Sequence, residues 1–430
     1  MGTKSMKVVL WNPVSNQGHL NLYLELYAKA LIDIGCDVFY YGQFNREFNL
    51  YLHEKLPLLK AVEEINAEQP LVRWSTKWIA LVSKNIIKNY SNVLNRIYVQ
   101  VLNKLLNFYK LNRPPVGFDI LARKLQDLRD SGFKADLVIC MYLDITYLDR
   151  KSLKQIDNVG TPWIGLLFHP EPHLPSGDFN KYSWFSSKTN RGGIFFVDKF
   201  AESYSKLSRE NQIFSTFPDV TRTIDHAKHE NDFDFRQMAK GRTIIGLVGA
   251  LDGRKKMVNE FLEISYDSRL TEFFFVLAGE VYESTFSEFT LSELRRLSGH
   301  VNENLFVFDQ YVESEQAFDT IISNIDLIFA CYKNFDSSAN ILAKSAIFKK
   351  PLLVTAGTLI GKTVEAYNLG LALNNPDVKN IPDALIQLKN RFDLNPDSFD
   401  FTAYANEVSP EKLKINLENL LNQLVLKDLA

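Results

Sequence analysis

Twice along this chain a short apolar run breaks at a glycine-containing turn and resumes as a helical pattern. The first run is Lys7–Trp11, followed by a polar turn, Asn12–Gly18, with Pro13 and Asn16. Leu20, Tyr23, Leu24, Tyr27, Ala28 and Leu31 then recur at helical spacing. Gly35 stops that helix in the usual C-terminal position, and Asp37–Gly42 reads as the next strand. The second run is Thr243–Val248, with a loop over Gly249–Lys256 and a helix from about Met257. Strand–helix–strand units of this kind build parallel sheets with helices on both faces. Further strands are expected at Leu137–Tyr142, Trp163–Phe168 and Gly193–Val197, and then at Phe273–Ala278, Leu305–Phe308, Leu327–Ala330 and Leu352–Thr355. The fold class is therefore α/β, with two Rossmann-like halves in series.

A length of 430 residues suits that division, and 46% apolar with 23% charged residues is globular composition. The first domain is assigned to 1–235 and the second to 236–395. Helices over 396–430 follow, the last of them an amphipathic one from about Pro410 to Leu426 that by analogy packs back across the cleft. The polar stretch Asp219–Gly241 is read as the linker. A formal net charge of −2 gives no reason to expect nucleic acid as a partner. Cys36, Cys140 and Cys331 are too few and too scattered for a disulfide framework or a zinc site, which fits a reducing cytosol. The first apolar run is too short for a signal peptide, and no run is long enough to span a bilayer.

One stretch departs from this pattern. Between Arg73 and Arg113 there are eight basic residues and no Asp or Glu. Trp74, Trp78, Ile79, Ile86, Ile87, Ile97, Tyr98 and Leu105 are interleaved with them. An insertion of about 73–115 with this composition suits the interface of an anionic membrane. The plain alternative is a pair of helices covering the sheet, with lysines on the wet face.

The chemistry-bearing residues cluster in the second half. Gly249-Ala250-Leu251-Asp252-Gly253-Arg254-Lys255-Lys256 follows a strand. There a glycine lets a phosphate approach the backbone, and Arg254 or Lys255 can neutralise a diphosphate. Leu277-Ala278-Gly279-Glu280 and Ile325–Ala330 follow. Next comes Tyr332-Lys333-Asn334-Phe335-Asp336-Ser337-Ser338-Ala339-Asn340, which leads into a helix ending at Lys349-Lys350-Pro351. Ser337 and Ser338 suit helix capping, and a carboxylate such as Asp336 at a strand end is either a cap or a crevice ligand. Ala356-Gly357-Thr358 closes the next strand. In the first half, His169 lies in His169-Pro170-Glu171-Pro172-His173, where the prolines argue against a helical metal site. Neither a nucleophile elbow nor a Walker-type phosphate loop is present.

The order and spacing of these motifs resemble the C-terminal domain of the family-4 retaining glycosyltransferases, which have the GT-B fold. The resemblance covers about 150 residues of the second half well, and the first half more loosely. It implies that Lys255 contacts the donor diphosphate, and that the family's preceding arginine is replaced by Ala250, so that this contact is either missing or supplied by Arg254. It places the family's paired glutamates on Asp336 and Lys344. Asp336 then lies near the donor sugar, and a lysine stands where a carboxylate usually holds the ribose. Lysine cannot accept a hydrogen bond, so ribose binding must differ or the site is degenerate. Gly249, Ser337, Ser338, Gly357 and Thr358 complete the donor side. The resemblance puts His169 against the donor sugar and Gly18 and His19 on the acceptor side.

The activity this implies is metal-independent transfer of a sugar from a nucleotide-diphospho-sugar to a glycan or lipid-linked acceptor, with retention, in cell-envelope or polysaccharide biosynthesis. No cofactor is expected, and the enzyme is expected in the cytoplasm or on the inner face of a membrane. Two alternatives stay open. One is a nucleotide-sugar epimerase, which needs no acceptor groove. The other is a non-catalytic partner protein of the same shape, suggested by Ala250 and Lys344.

Overall fold

The computed structural model describes residues 5–13, 19–42, 46–64, 118–146, 150–168, 184–222, 234–312, 315–333, 335 and 337–429. Within them lie two seven-stranded sheets. The first contains β1 (Lys7–Asn12), β2 (Asp37–Gly42), β3 (Lys60–Glu64), β4 (Leu137–Cys140), β5 (Trp163–Leu167), β6 (Asn190–Phe195) and β7 (Ile213–Thr216). Its order is β3-β2-β1-β4-β5-β6-β7. The second contains β8 (Thr243–Val248), β9 (Phe273–Ala278), β10 (Val301–Asn302), β11 (Leu305–Phe308), β12 (Leu327–Ala330), β13 (Leu352–Thr355) and β14 (Gly370–Leu373), in the order β10-β11-β9-β8-β12-β13-β14. Every pairing is parallel except the short β10–β11 contact.

Unbroken apolar strands such as Phe273–Ala278, buried at every position, belong in a sheet covered on both faces. The alternation shows in β1. Val8 and Leu10 join one buried cluster, and Val9 and Trp11 join another on the opposite face. Leu22, Tyr23, Tyr27 and Leu31 of the helix His19–Ile34 cover the first face. The same cluster takes in Leu413, Leu417, Leu420, Leu421 and Leu424 of the last helix, Pro410–Leu429. The chain thus returns to the first sheet after completing the second.

The sequence reading needs two corrections at element level. The polar stretch Asp219–Gly241 is not linker throughout. Phe235–Ala239 is a short helix, capped by the Asp234 side chain on Gln237 N, and Phe235 and Ala239 are buried in the second core. Ser337 and Ser338 do not cap the helix that follows them. That helix is Ile341–Phe348, and its N-cap is Asn340.

The two halves meet through specific contacts. Asp219 accepts hydrogen bonds from Tyr23 Oη in the first half and from Ser338 Oγ in the second, the latter at 2.7 Å. Thr221 N donates to Val408 O at 3.3 Å. Leu359 of the second half packs against the first half's Trp11-containing cluster. No helix among the described residues is long and apolar enough to cross a membrane.

Candidate functional site

In an open α/β sheet, ligands bind beyond the carboxyl ends of the strands where the strand order reverses. In the second sheet that point lies between β8 and β12, since β9 leaves β8 on one side and β12 on the other. The loops leaving these two strands are tied together there. Lys333 N donates to Lys255 O at 2.6 Å and Met257 N to Cys331 O at 3.3 Å, and Lys256 and Tyr332 form an antiparallel bridge. Thr355 Oγ1, at the end of β13, accepts from Tyr332 N and donates to Tyr332 O, which joins a third strand end to the pair.

The loop after β8 is bare and tight. Gly249 has φ +89 and Gly279, at the end of β9, has φ +146. A side chain on Gly279 would place its Cβ 2.2 Å from Gly249 O, so only glycine fits where the two turns press together. Asp252 organises the rest of the loop. Its carboxylate accepts from Arg254 N, Nε and Nη2, and its carbonyl accepts from Lys255 N and Lys256 N. The Arg254 hydrogen bonds hold the Asp252 carboxyl below its usual range despite the opposing effect of burial.

This arrangement separates the three cations of the loop. Arg254 is exposed but already clasped by Asp252, with 2.7 Å between Nη2 and Oδ2. Lys255 is exposed, with its ammonium 5.9 Å from the ring centre of Phe335. Lys256 turns inward, and its Nζ donates to Val248 O at 2.6 Å. Reasoning from the sequence picked out the first two and passed over the third. The signal available was the lysine doublet closing the glycine loop.

Of the other candidates, Gly357 has φ +76, and Thr358 is the N-cap of the helix Leu359–Ala366, its Oγ1 accepting from Gly361 N at 3.0 Å. Both stand at the carboxyl end of β13, beside the tied loops. Ser337 is buried, and Ser338 faces Asp219. Lys344 is fully buried, and its ammonium lies between two carboxylates of the helix Glu315–Asn324. It donates to Asp319 and stands 3.0 Å from Glu315 Oε2. Arg222 approaches Asp319 from the other side at 3.9 Å. The ammonium is thus taken up inside the protein. No sequence signal pointed to Glu315 or Asp319 as its partners.

Asp336, His169 and Gly18 lie outside the described residues, as does the basic insertion. His19 begins the first helix, and its side chain also lies outside them. Among the described residues no three His, Cys, Asp or Glu side chains gather as a metal site.

No family model matches the chain, and no curated protein matches it in sequence. Its structure does have similar solved relatives. HepE from Anabaena, solved in complex with UDP and glucose, superposes with a TM-score of 0.58 at 11% identity, covering 97% of this chain and 99% of that one. An α,α-trehalose 6-phosphate synthase from Burkholderia multivorans gives 0.61 at 12% identity, covering 99% and 98%. WaaG, a glycosyltransferase involved in lipopolysaccharide biosynthesis, gives 0.51 at 12% identity, covering 95% and 98%. The two-sheet α/β architecture is that of the GT-B glycosyltransferases, as the resemblance implied.

Proposed function

We propose that the protein is a glycosyltransferase that moves a sugar from a nucleoside-diphosphate sugar to a glycan or lipid-linked acceptor, with retention and without a metal. One observation carries this reading. In a fold shared along its whole length with glycosyltransferases, a glycine turn and an exposed lysine stand at the switch point of the second sheet, tied to the neighbouring strand end. HepE was solved with UDP-glucose, which supports a donor of that class.

Transfer breaks the bond between the sugar and the diphosphate, so negative charge grows on the leaving phosphate. Fixed cations and backbone N–H groups aimed at that charge lower the barrier. Lys255 supplies the cation, and the backbone at Gly357–Thr358 supplies the N–H groups, while Gly249, whose own N–H is bonded to Ala278 O, only keeps the loop free of a side chain. Asp336 and His169 position the sugar, and Gly18 and His19 line the acceptor side. Arg254 contributes only if it leaves Asp252. The acceptor enters beside the basic stretch 73–113, whose composition suits an anionic membrane surface and a role in envelope or polysaccharide synthesis.

The test is a thermal-shift screen against UDP, GDP, ADP, TDP and CMP, followed by the matching nucleotide sugars. One nucleoside diphosphate should raise the melting temperature, and Lys255→Ala should abolish the shift and sharply lower turnover. A well-folded sample that responds to none of them favours a non-catalytic partner protein. The observation behind that second reading is Lys344, which is committed to Asp319 and Glu315 at the position where the resemblance places a ribose-binding carboxylate.

A further inference from the structure

The serine pair that precedes the helix Ile341–Phe348 does not cap it, because Asn340 takes that place. Ser338 serves another contact. Its Oγ donates to Asp219 Oδ2 at 2.7 Å, across 119 positions of sequence and from one half to the other. The second oxygen of Asp219 accepts from Tyr23 Oη. Tyr23 is held too firmly to follow a moving partner. It is fully buried in the first core, with the rings of Phe168 and Phe196 set edge-on to it at 5.0 and 5.8 Å. Those two rings stand just past the carboxyl ends of β5 and β6. The loop that leaves β12 is therefore pinned at two places by different halves. At its start, Tyr332 N and Lys333 N are bonded to Thr355 Oγ1 and Lys255 O of the second half. At its end, Ser338 is bonded to an aspartate that the first half holds in place.

We propose that Ser338, Asp219 and Tyr23 are positioning residues for the transfer step. Through them the first half fixes the far end of the loop after β12, so the wall of the donor site is complete only while the two halves face each other as they do here. This rests on the donor site proposed above. The groups assigned there to the diphosphate, Lys255 and the backbone at Gly357–Thr358, all belong to the second half, so nucleotide binding does not need the clasp. Bond breaking does, because reacting groups misplaced by about 1 Å lose about a hundredfold in rate. Loss of the clasp should therefore lower kcat and leave nucleotide affinity in place. A contact that only held the fold together would lower the melting temperature without separating the two.

The experiment compares wild type, Tyr23→Phe, Ser338→Ala, Ser338→Thr, Asp219→Asn, the Ser338→Ala/Asp219→Asn double variant and Lys255→Ala, with melting curves to confirm folding. Amide hydrogen exchange reads the loop directly. Tyr23→Phe, a change in the first half, should speed exchange of the peptide holding Ser337 and Ser338 in the second half by about tenfold, as should Ser338→Ala. Calorimetric titration with UDP, GDP and ADP reads binding. Release of the nucleoside diphosphate from UDP-, GDP- and ADP-glucose reads turnover with water as the acceptor. In that reaction the bond from the anomeric carbon to the phosphate oxygen breaks, the water oxygen takes its place on the carbon, and a proton passes to solvent. For the nucleotide that binds, Ser338→Ala should keep its affinity within about twofold and lose about tenfold in kcat. Ser338→Thr should restore most of that loss, and the double variant should be no slower than the slower single one. If Tyr23→Phe leaves the exchange unchanged, or Ser338→Ala turns over as fast as wild type, the inference is overturned, and binding that is lost in Lys255→Ala leaves the donor site standing. If Ser338→Ala loses affinity and kcat together, Ser338 belongs to the donor site itself and the clasp is overturned. If wild type binds a nucleotide but cleaves none of the donors, the exchange result decides. If no nucleotide binds wild type, the donor site falls and the inference with it.

Discussion

Lys344 shows how one residue can mislead from sequence and inform from structure. In the sequence it is a lysine where the resemblance calls for a carboxylate. In the structure it pairs with two carboxylates of a neighbouring helix, and its side chain is 1% exposed. Removing one member of a buried charge cluster leaves the others uncompensated, at a cost of about 3–5 kcal/mol. Lys344→Met should lose about that much in urea denaturation at pH 7.5. Burial already raises the Asp319 carboxyl, and Lys344 opposes the rise. Without the lysine the carboxyl goes higher still, so the folded variant binds protons more readily than the unfolded chain. Its stability should fall as pH rises through that raised value and recover on acidification. The deficit relative to wild type should therefore shrink from pH 7.5 to pH 5, and a deficit that does not change with pH would refute this account. The partners were illegible because Asp319 lies 25 positions earlier, and helix–helix pairing leaves no spacing signature.

Strands that are covered on both faces were the most legible elements, because their apolar runs are unbroken. β8, β9, β12 and β13 fall where the sequence puts them. The outer strands β3, β7, β10 and β14 went unread. Lys60–Glu64 and Ile213–Thr216 carry polar residues on a partly covered edge, so their pattern merges with that of loops. The last helix, Pro410–Leu429, is an element whose role only the structure gives in detail. Leu417 is fully buried in the cluster that also holds Tyr27, Leu31 and one face of the first sheet. Leu417→Ala should cost about 2–5 kcal/mol. The measurement can be confined to one half, because all five tryptophans, Trp11, Trp74, Trp78, Trp163 and Trp184, precede β7. Tryptophan fluorescence should show an earlier urea transition in the variant. The part of the circular-dichroism signal that unfolds with the second sheet should stay in place. An unshifted fluorescence transition would mean that the helix is not integral to the first core.

At the scale of the whole molecule, the two halves are joined at Asp219, which takes hydrogen bonds from both. Charge-assisted hydrogen bonds contribute about 1.5–3 kcal/mol each. Asp219→Ala should thus destabilise the protein by about 3–6 kcal/mol and increase its radius of gyration in small-angle scattering without nucleotide. An unchanged radius would show that the orientation of the halves is set elsewhere. The two-sheet architecture was legible because the strand–glycine–helix signal occurs twice. The joint was not, because Tyr23, Asp219 and Ser338 converge from distant parts of the chain. Among the described residues the chain also returns from the second half to the first at Val408–Pro410. This bears on how the protein is made. Translation delivers β1 to β7 first, yet the face of Tyr27 and Leu31 is not closed until Leu413 to Leu424 have left the ribosome. The half that is synthesised first is therefore the last to be sealed, because the leucines that complete its core come from the end of the chain.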